Sequence, residues 1–204
     1  MATKKPKRVP GIPLMISEDL CWINDGIDLA SRTLYISALE DGCEDNNMSP
    51  AAIYTRALYA MELISHEPIT VILNSPGGSV VAGMAIYDAI RACKSTVKII
   101  VYGQACSMGC VLLQAGDERL LGEHAVIMFH AGEDGGGRMH PEAVKRWVKF
   151  MDKYNTKIDT VLLQRMRESK PDLTDAQYKE MNTFDTILTA QEAIDLGLAD
   201  AIIS

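Results

Sequence analysis

The spacing of apolar residues along the chain changes repeatedly between the period of a strand and that of a helix. Runs of β-branched and apolar residues predict strands at 32–39, 69–74, 96–103 and 125–130. Apolar residues at helical spacing predict helices between them, at 49–66, 80–93 and 107–116. This alternation is typical of an α/β fold with a largely parallel sheet. Functional groups in such sheets lie at the carboxyl ends of the strands, here at Asn74, Gly103 and His130.

The pattern changes after His130. Four of the eight residues in 131–138 are glycine, and the following segment, 141–169, predicts an amphipathic helix longer than one small domain needs. We expect this helix to pack against another subunit through a stripe formed by Val144, Trp147, Val148, Phe150 and Met151. Thr174 and Thr189 each begin a capping box, so short helices start there, and "ADAIIS" predicts a last strand. We predict an irregular N-terminal segment at 1–31 and one domain at 32–204, with the long-helix region at about 131–169.

Composition narrows the class of protein. A hydrophobic content of 48% and a charged content of 23% are ordinary for a soluble enzyme. The net charge is −7 even with a basic tail at Lys4, Lys5, Lys7 and Arg8, which argues against nucleic acid as the main ligand. No apolar run is long enough for a membrane span, and no secretory signal is present, so we expect a cytoplasmic protein. The five cysteines form no CxxC pair, and we expect neither a disulfide framework, nor a metal site, nor a cofactor.

Ser107 is the first candidate for catalysis. It lies in "ACSMG", after a predicted strand and at the start of a predicted helix, as in a nucleophile elbow. Ala105 stands where the usual hydrolase pattern has glycine, and a plain helix cap at Ser107 is the alternative. The N–H groups at a helix start can also stabilise an oxyanion, and the glycines of "NSPGGSV" allow a second backbone N–H to approach a substrate. Ser75 and Ser79 are weaker nucleophile candidates.

A serine nucleophile needs a base and a group that orients it. Only His130 among the four histidines directly follows an apolar strand; the others are His66, His124 and His140. We therefore predict His130 as the base. Asp185 is a candidate for the acid, because we expect Phe184, Ile187 and Leu188 to half-bury it, but an aspartate that caps a short strand explains it equally well.

Four motifs, "NSPGGSVVAGMAIYDAI", "GQACSMG", "MFH" and "FDTILTAQEAIDLGLAD", occur in the order and at the spacing of the proteolytic subunit of the Clp protease, ClpP, and the chain resembles that family over about 69–204, more weakly from Arg32. The resemblance implies a crotonase-like fold of repeated strand–helix units with a protruding handle helix. It implies a serine endopeptidase in which Ser107 is the nucleophile, His130 the base and Asp185 its partner, with the N–H groups of Gly78 and Met108 as oxyanion hole. It further implies a homo-oligomeric chamber, as a heptamer or stacked double ring. Protein and peptide substrates would be delivered by an AAA+ unfoldase, the only component that uses ATP. Cys106 and Cys110 would be buried packing residues.

The sequence also departs from the pattern of that family. Ala131 and Gly132 follow the base where the family has Gln-Pro, and Thr183 and Phe184 replace an Asp-Arg pair that fastens the rings. Residues 1–31 do not match the pore segment. These departures indicate a divergent member, and a phage or mobile-element origin is our hypothesis. The alternatives are a phage head-maturation or signal-peptide-peptidase-like protease, an acyl-CoA enzyme of crotonase type, and a non-catalytic ring subunit.

Overall fold

The predicted alternation of strands and helices is present in the structure, a computed structural model that describes residues 26–39, 49–132 and 140–203. The strands are Ile27–Asp28 (β1), Thr33–Ile36 (β2), Ile69–Ser75 (β3), Val97–Cys106 (β4), Glu118–Gly122 (β5), Val126–Phe129 (β6), Thr186–Thr189 (β7) and Ala201–Ile203 (β8). The helices are Pro50–Ile64 (α1), Val80–Ala92 (α2), Met108–Leu113 (α3), Pro141–Ser169 (α4), Asp175–Asn182 (α5) and Ala190–Asp195 (α6). The predictions for residues 1–25 and for most of the glycine-rich stretch fall outside the described residues.

The eight strands of the described residues form one mixed sheet, in which six strands follow the order β1-β2-β3-β4-β5-β8 and the other two, β6 and β7, are joined to it through β4. Along this order, each pair of neighbouring strands from β2 through β3, β4 and β5 to β8 is parallel, and β1 is antiparallel to β2. The long strand β4 has two partners on one side, because its first half pairs with β5 and its last three residues pair with β6. Strand β7 then pairs antiparallel with β6. The end of β4 and the end of β6 are therefore side by side, and these are the positions just before Ser107 and His130.

We predicted that Gly103 ends its strand, but it lies inside β4. The residue has φ of +90°, and a Cβ atom there would lie 2.7 Å from Asn74 Oδ1. The register between β3 and β4 shifts at this point, and β4 continues to Cys106. From Gln104 onwards, β4 pairs with β6 instead of β5. Gly103 thus helps to deliver the residues before Ser107 to the edge of the sheet that carries the site.

Other predictions about the elements also need correction. Helix α3 ends at Leu113 and not at Gly116, since tight turns follow it, with Gly116 N donating to Leu113 O. The strands β1, β5 and β7 were not predicted. Strand β1 has only two residues and lies in the segment 1–31 that we predicted to be irregular. The charged residues of β5 and the half-exposed face of β7 hide the alternation that marks a strand. The predicted caps are confirmed, because Ser49 caps α1 and both capping boxes form.

The core lies between the sheet and the helices that cover it. The inward residues of β3 and β4 are completely buried, and every residue of α3 is buried. Both faces of these strands are covered, which explains why they are apolar runs in the sequence. The C-terminal half of α4 also packs on this core. Leu162 and Met166 are buried there, and Arg165 donates hydrogen bonds to the carbonyl oxygens of Gln114 and Gly116.

The N-terminal half of α4 has a different surface. Trp147, Val148 and Phe150 are 37%, 45% and 46% exposed, as the predicted interface stripe requires. Met151, which we had placed in the same stripe, is instead buried within the chain. The rings of Trp147, Phe150 and Tyr154 form a row with centroids 5.8 and 5.5 Å apart. An apolar face of this kind on an otherwise charged helix is typical of a surface that another chain covers.

Glu62 connects α1 to the start of β4. Its carboxylate accepts hydrogen bonds from the N–H groups of Lys94 and Ser95 and from the Ser95 hydroxyl. Burial acts to raise the pKa of Glu62, but these hydrogen bonds outweigh the effect of burial and lower the pKa to about 2. The carboxylate is therefore part of what holds this corner of the fold together at neutral pH.

Candidate active site

Ser107 occupies the turn between β4 and α3 in a backbone conformation that few residues adopt, with φ of +52° and ψ of −120°. Such strain in a residue other than glycine is held only where the surroundings impose it, and it is found in nucleophile elbows. Ser107 N donates a hydrogen bond of 2.7 Å to Met128 O, which fixes the turn to β6. The Ser107 side chain forms no cap with α3. The alternative of a plain helix cap is therefore wrong.

Gly77 packs directly against this turn. A Cβ atom on Gly77 would lie 2.8 Å from both Cys106 O and Ser107 Cβ, and its φ of +105° is one that side chains disfavour. The "PGGS" segment is held in place from the other side, because Leu39 N donates to Gly77 O and Ser79 N donates to Leu39 O. Gly77 thus brings the backbone after β3 close to the serine, while the approach of a backbone N–H to a substrate stays a prediction.

His130 lies within hydrogen-bond distance of the serine. Its Nε2 is 2.8 Å from Ser107 Oγ, and its side chain is largely buried. The pairing of Cys106 with Met128 sets this distance, because both residues stand close to the ends of adjacent strands. If Nε2 accepts the serine proton, Nδ1 carries the ring proton and faces the third residue.

Asp185 is the residue that faces Nδ1. Its Oδ1 lies 3.6 Å from His130 Nδ1, which is an ion-pair distance and longer than a hydrogen bond. The antiparallel pairing of Phe129 with Thr186 brings the preceding aspartate opposite the histidine. The predicted half-burial of Asp185 is wrong: its side chain is 62% exposed, and Phe184 and Ile187 point outwards with it.

The two predicted oxyanion donors are Met108, which directly follows the serine, and Gly78, which directly follows the Gly77 that packs against this turn. Met108 is the first residue of α3, so its N–H has no partner within the helix. The Cβ position of Gly77 lies 3.1 Å from Met108 N, so a side chain at position 77 would crowd this N–H. Gly78 stands between the two residues that bond to Leu39, and its own N–H has no acceptor among the described residues.

The other nucleophile candidates have structural roles. Ser75 is completely buried and accepts a hydrogen bond from Gly77 N, and Ser79 caps α2. Cys106 and Cys110 are buried, as predicted, and burial raises the pKa of both thiols, that of Cys110 to about 12. Thiols with such a pKa are poor nucleophiles at neutral pH. Within the ranges that the structure describes, no cluster of His, Cys, Asp or Glu could hold a metal ion.

A small cavity of about 70 Å³ opens beside Ser107 and His130. Apolar side chains such as Phe129 and Leu162 line most of it, while Asp159 and Asn182 contribute polar groups. Neither of these two residues was predicted from the sequence to be part of the site. Helical spacing places Asp159 on the same face of α4 as the buried Leu162, and a polar residue among apolar ones on a buried face is the signal that could have found it.

An α/β sheet with a serine–histidine pair at a strand-to-helix turn is the arrangement of a serine hydrolase. The Clp protease family model matches residues 38–204, and the chain belongs to this family. It is 33% identical to ATP-dependent Clp protease proteolytic subunit 3 of Parasynechococcus marenigrum (strain WH8102), over 98% of this chain and 94% of the relative. It is 32% identical to ATP-dependent Clp protease proteolytic subunit 2 of Prochlorococcus marinus (strain NATL2A), with the same coverage of both chains.

These comparisons make the chain a divergent Clp protease family member and a serine-type peptidase. The similarity extends beyond the region 69–204 that the motifs indicated, because the relatives align over 98% of the chain. None of the described helices is both long and apolar enough to cross a membrane.

Proposed function

We propose that this chain is a proteolytic subunit of an ATP-dependent Clp-type protease and cleaves peptide bonds through an acyl-enzyme on Ser107. The observation that carries the proposal is the 2.8 Å contact between His130 Nε2 and Ser107 Oγ, at a serine held in a strained turn. A serine hydroxyl becomes an effective nucleophile when an adjacent histidine removes its proton. Membership of the Clp protease family supports the peptide bond as the substrate group.

In the proposed reaction His130 accepts the Ser107 proton through Nε2 while Oγ attacks the carbonyl carbon. The N–H groups of Gly78 and Met108 stabilise the negative charge on the carbonyl oxygen of the tetrahedral intermediate. His130 then gives the proton to the leaving amine, the C–N bond breaks, and water repeats the sequence to release the acyl group. Asp185 stabilises the imidazolium, and we propose that its distance to Nδ1 shortens when substrate is bound, as catalytic hydrogen bonds commonly do.

We further propose that the chain adopts the crotonase-like form of the α/β fold and that α4 is a handle between rings. The exposed apolar side chains of Trp147, Val148 and Phe150 support a surface on this helix that another chain covers. The relatives are named as subunits of an ATP-dependent protease, so we propose a homo-oligomeric ring fed by an AAA+ unfoldase in the cytoplasm. In this arrangement the unfoldase uses the ATP, and the present chain needs no cofactor. Thr183 and Phe184, in place of the Asp-Arg pair, favour a weak contact between rings.

Fluorophosphonate labelling tests the catalytic part, because the reagent reacts with an activated serine. The wild type should be labelled at one serine and hydrolyse short fluorogenic peptides. Ser107→Ala should lose both reactions, and His130→Ala should lose nearly as much, since triad members act as a unit. Ser169→Ala, at an exposed position on α4, is the matched control and should react like the wild type. Labelling that persists in Ser107→Ala refutes the proposal.

Molar mass measured by light scattering over a range of concentrations tests the assembly. We expect a double ring that separates into two single rings on dilution, so that the molar mass halves. Phe150→Asp should weaken the association, whereas Lys149→Asp, a charge change at the neighbouring position, should weaken it less. A fully active monomer at every concentration would contradict the chamber.

A further inference from the structure

The carboxylate of Asp159 is not used in the reaction proposed above, yet it lies beside the catalytic pocket. Its Oδ1 accepts two hydrogen bonds, from Tyr178 Oη at 2.9 Å and from Asn182 Nδ2 at 2.8 Å. A carboxylate only accepts, so the amide of Asn182 must present its NH₂ group to Asp159. Burial raises the pKa of Tyr178, and the negative charge of Asp159 raises it further, so the phenol remains a donor. One oxygen on α4 thereby holds two side chains of α5.

Both of these side chains belong to residues that contact the neighbours of His130. The Tyr178 ring stacks on Phe129, with centroids 6.3 Å apart and planes 3° from parallel. The backbone oxygen of Asn182 accepts a hydrogen bond of 2.8 Å from Ala131 N. Phe129 and Ala131 are the residues immediately before and after His130. The histidine is thus held on both sides by residues that Asp159 fixes.

Asn182 depends on Asp159 for its orientation. It is only 7% exposed, and its Oδ1 has no hydrogen-bond partner among the described residues. The bond to Asp159 is therefore the one hydrogen bond that the described residues give to this amide. Without it, a buried amide would lose its last partner, which is costly, and the end of α5 would rearrange to reach water. That end carries the backbone oxygen that holds Ala131, and Asp185 follows three residues later.

We infer that Asp159 is a positioning residue for the catalytic pair: through Tyr178 and Asn182 it sets the place of His130 relative to Ser107. The inference rests on the proposed function, because the place of His130 affects turnover only if His130 is the base. What Asp159 supplies is an acceptor oxygen at a fixed point on α4. Its charge is secondary, since neither Tyr178 nor Asn182 is a cation.

The test compares Asp159→Ala with Asp159→Asn, and uses Asp152→Ala as the control on an exposed part of the same helix. The second-order rate constant of fluorophosphonate labelling is measured across pH, well below the unfolding temperature of each variant. Asp159→Ala should be slower by about 10-fold to 100-fold, the cost of displacing a catalytic group on the ångström scale. Its pH profile should shift, because a displaced imidazole has new surroundings. Asp159→Asn keeps an acceptor oxygen and should restore most of the rate, and Asp152→Ala should match the wild type.

Hydrogen–deuterium exchange supplies a readout that does not depend on catalysis. Exchange of the amides in 126–132 should be faster in Asp159→Ala than in the wild type, and unchanged in Asp152→Ala. Unchanged exchange in Asp159→Ala overturns the inference, and so does faster exchange with a normal rate and pH profile of labelling. A rate in Asp159→Asn as low as that of Asp159→Ala overturns it as well, since charge would then be the cause. A wild type that is not labelled refutes the proposed function, and the exchange data then decide separately whether Asp159 holds the His130 segment.

Discussion

Gly77 offers a sharp test of how the site is built, because one added methyl group would meet the nucleophile turn. The Cβ of Gly77→Ala would lie 2.8 Å from Cys106 O and from Ser107 Cβ, where an ordinary contact is about 3.5 Å. One of the two segments must therefore move by more than half an ångström. The φ of +105° adds backbone strain of about 1–3 kcal/mol. Since the Cβ also approaches Met108 N, the serine and one oxyanion donor are displaced together.

The expected result is a loss of about 10-fold to 100-fold in kcat/KM for a short peptide, because positioning on this scale decides the rate. Stability should fall by about 1–3 kcal/mol, measured by chemical denaturation. The matched control is Gly197→Ala, which has a similar φ of +83° and a Cβ 2.9 Å from Ser169 Oγ, but lies away from the site. Gly197→Ala should lose stability and keep its turnover. Near-wild-type turnover in Gly77→Ala would refute the close approach, and an equal loss in both variants would mean that strain alone was being measured.

The remaining predictions concern packing, acidity and the proposed role of Asp185. In Gly83→Ala the new Cβ would lie 2.3 Å from the buried Met108 Cγ, so fluorophosphonate labelling should slow and the unfolding temperature should fall, by an overpacking cost of about 1–3 kcal/mol. Glu62 has a pKa lowered to about 2 in the fold, so its stabilisation is present above about pH 4.5 and is lost as pH falls towards 2. The unfolding temperature of Glu62→Gln should therefore be lower than that of the wild type at neutral pH, and the two should converge in acid; a constant difference would contradict this assignment. Asp185→Asn should lower kcat by up to about 10⁴-fold if Asp185 orients the His130 ring, and a loss below tenfold would exclude that role.

The sequence predicts best the features that local chemistry determines. The long helix has the bounds 141–169 in the structure as in the prediction, because Pro141 and the amphipathic period define it locally. The Ser107 turn and the glycines before it are local as well, and the structure brings them together as expected. The ordering of strands put His130 at the same edge, since carboxyl ends of parallel strands meet there.

Features that depend on contacts distant in sequence were not predictable in this way. The exposure of Asp185 follows from the pairing of β7 with β6, and neither the short strand nor its outward face has a clear pattern. Gly103 lies against Asn74 of the neighbouring strand, a contact that the period along one strand does not reveal. Asp159 and Asn182 meet across two helices, and their pairing becomes visible only when α4 and α5 are packed.

The three proposed catalytic residues differ in burial, and this difference indicates what a second chain would add to the site. Ser107 and His130 lie in a largely buried contact that one chain forms by itself, whereas Asp185 is mostly exposed and stands beside the 79% exposed Phe184. An exposed carboxylate at 3.6 Å is screened by water and orients an imidazole weakly. An exposed aromatic ring next to it favours a covering surface, because burying a phenylalanine side chain is worth about 1.5–3 kcal/mol. The same cover would exclude water from Asp185 and strengthen its attraction to His130. The proposed ring assembly would thus affect Asp185 more than the contact between Ser107 and His130, which one chain forms by itself.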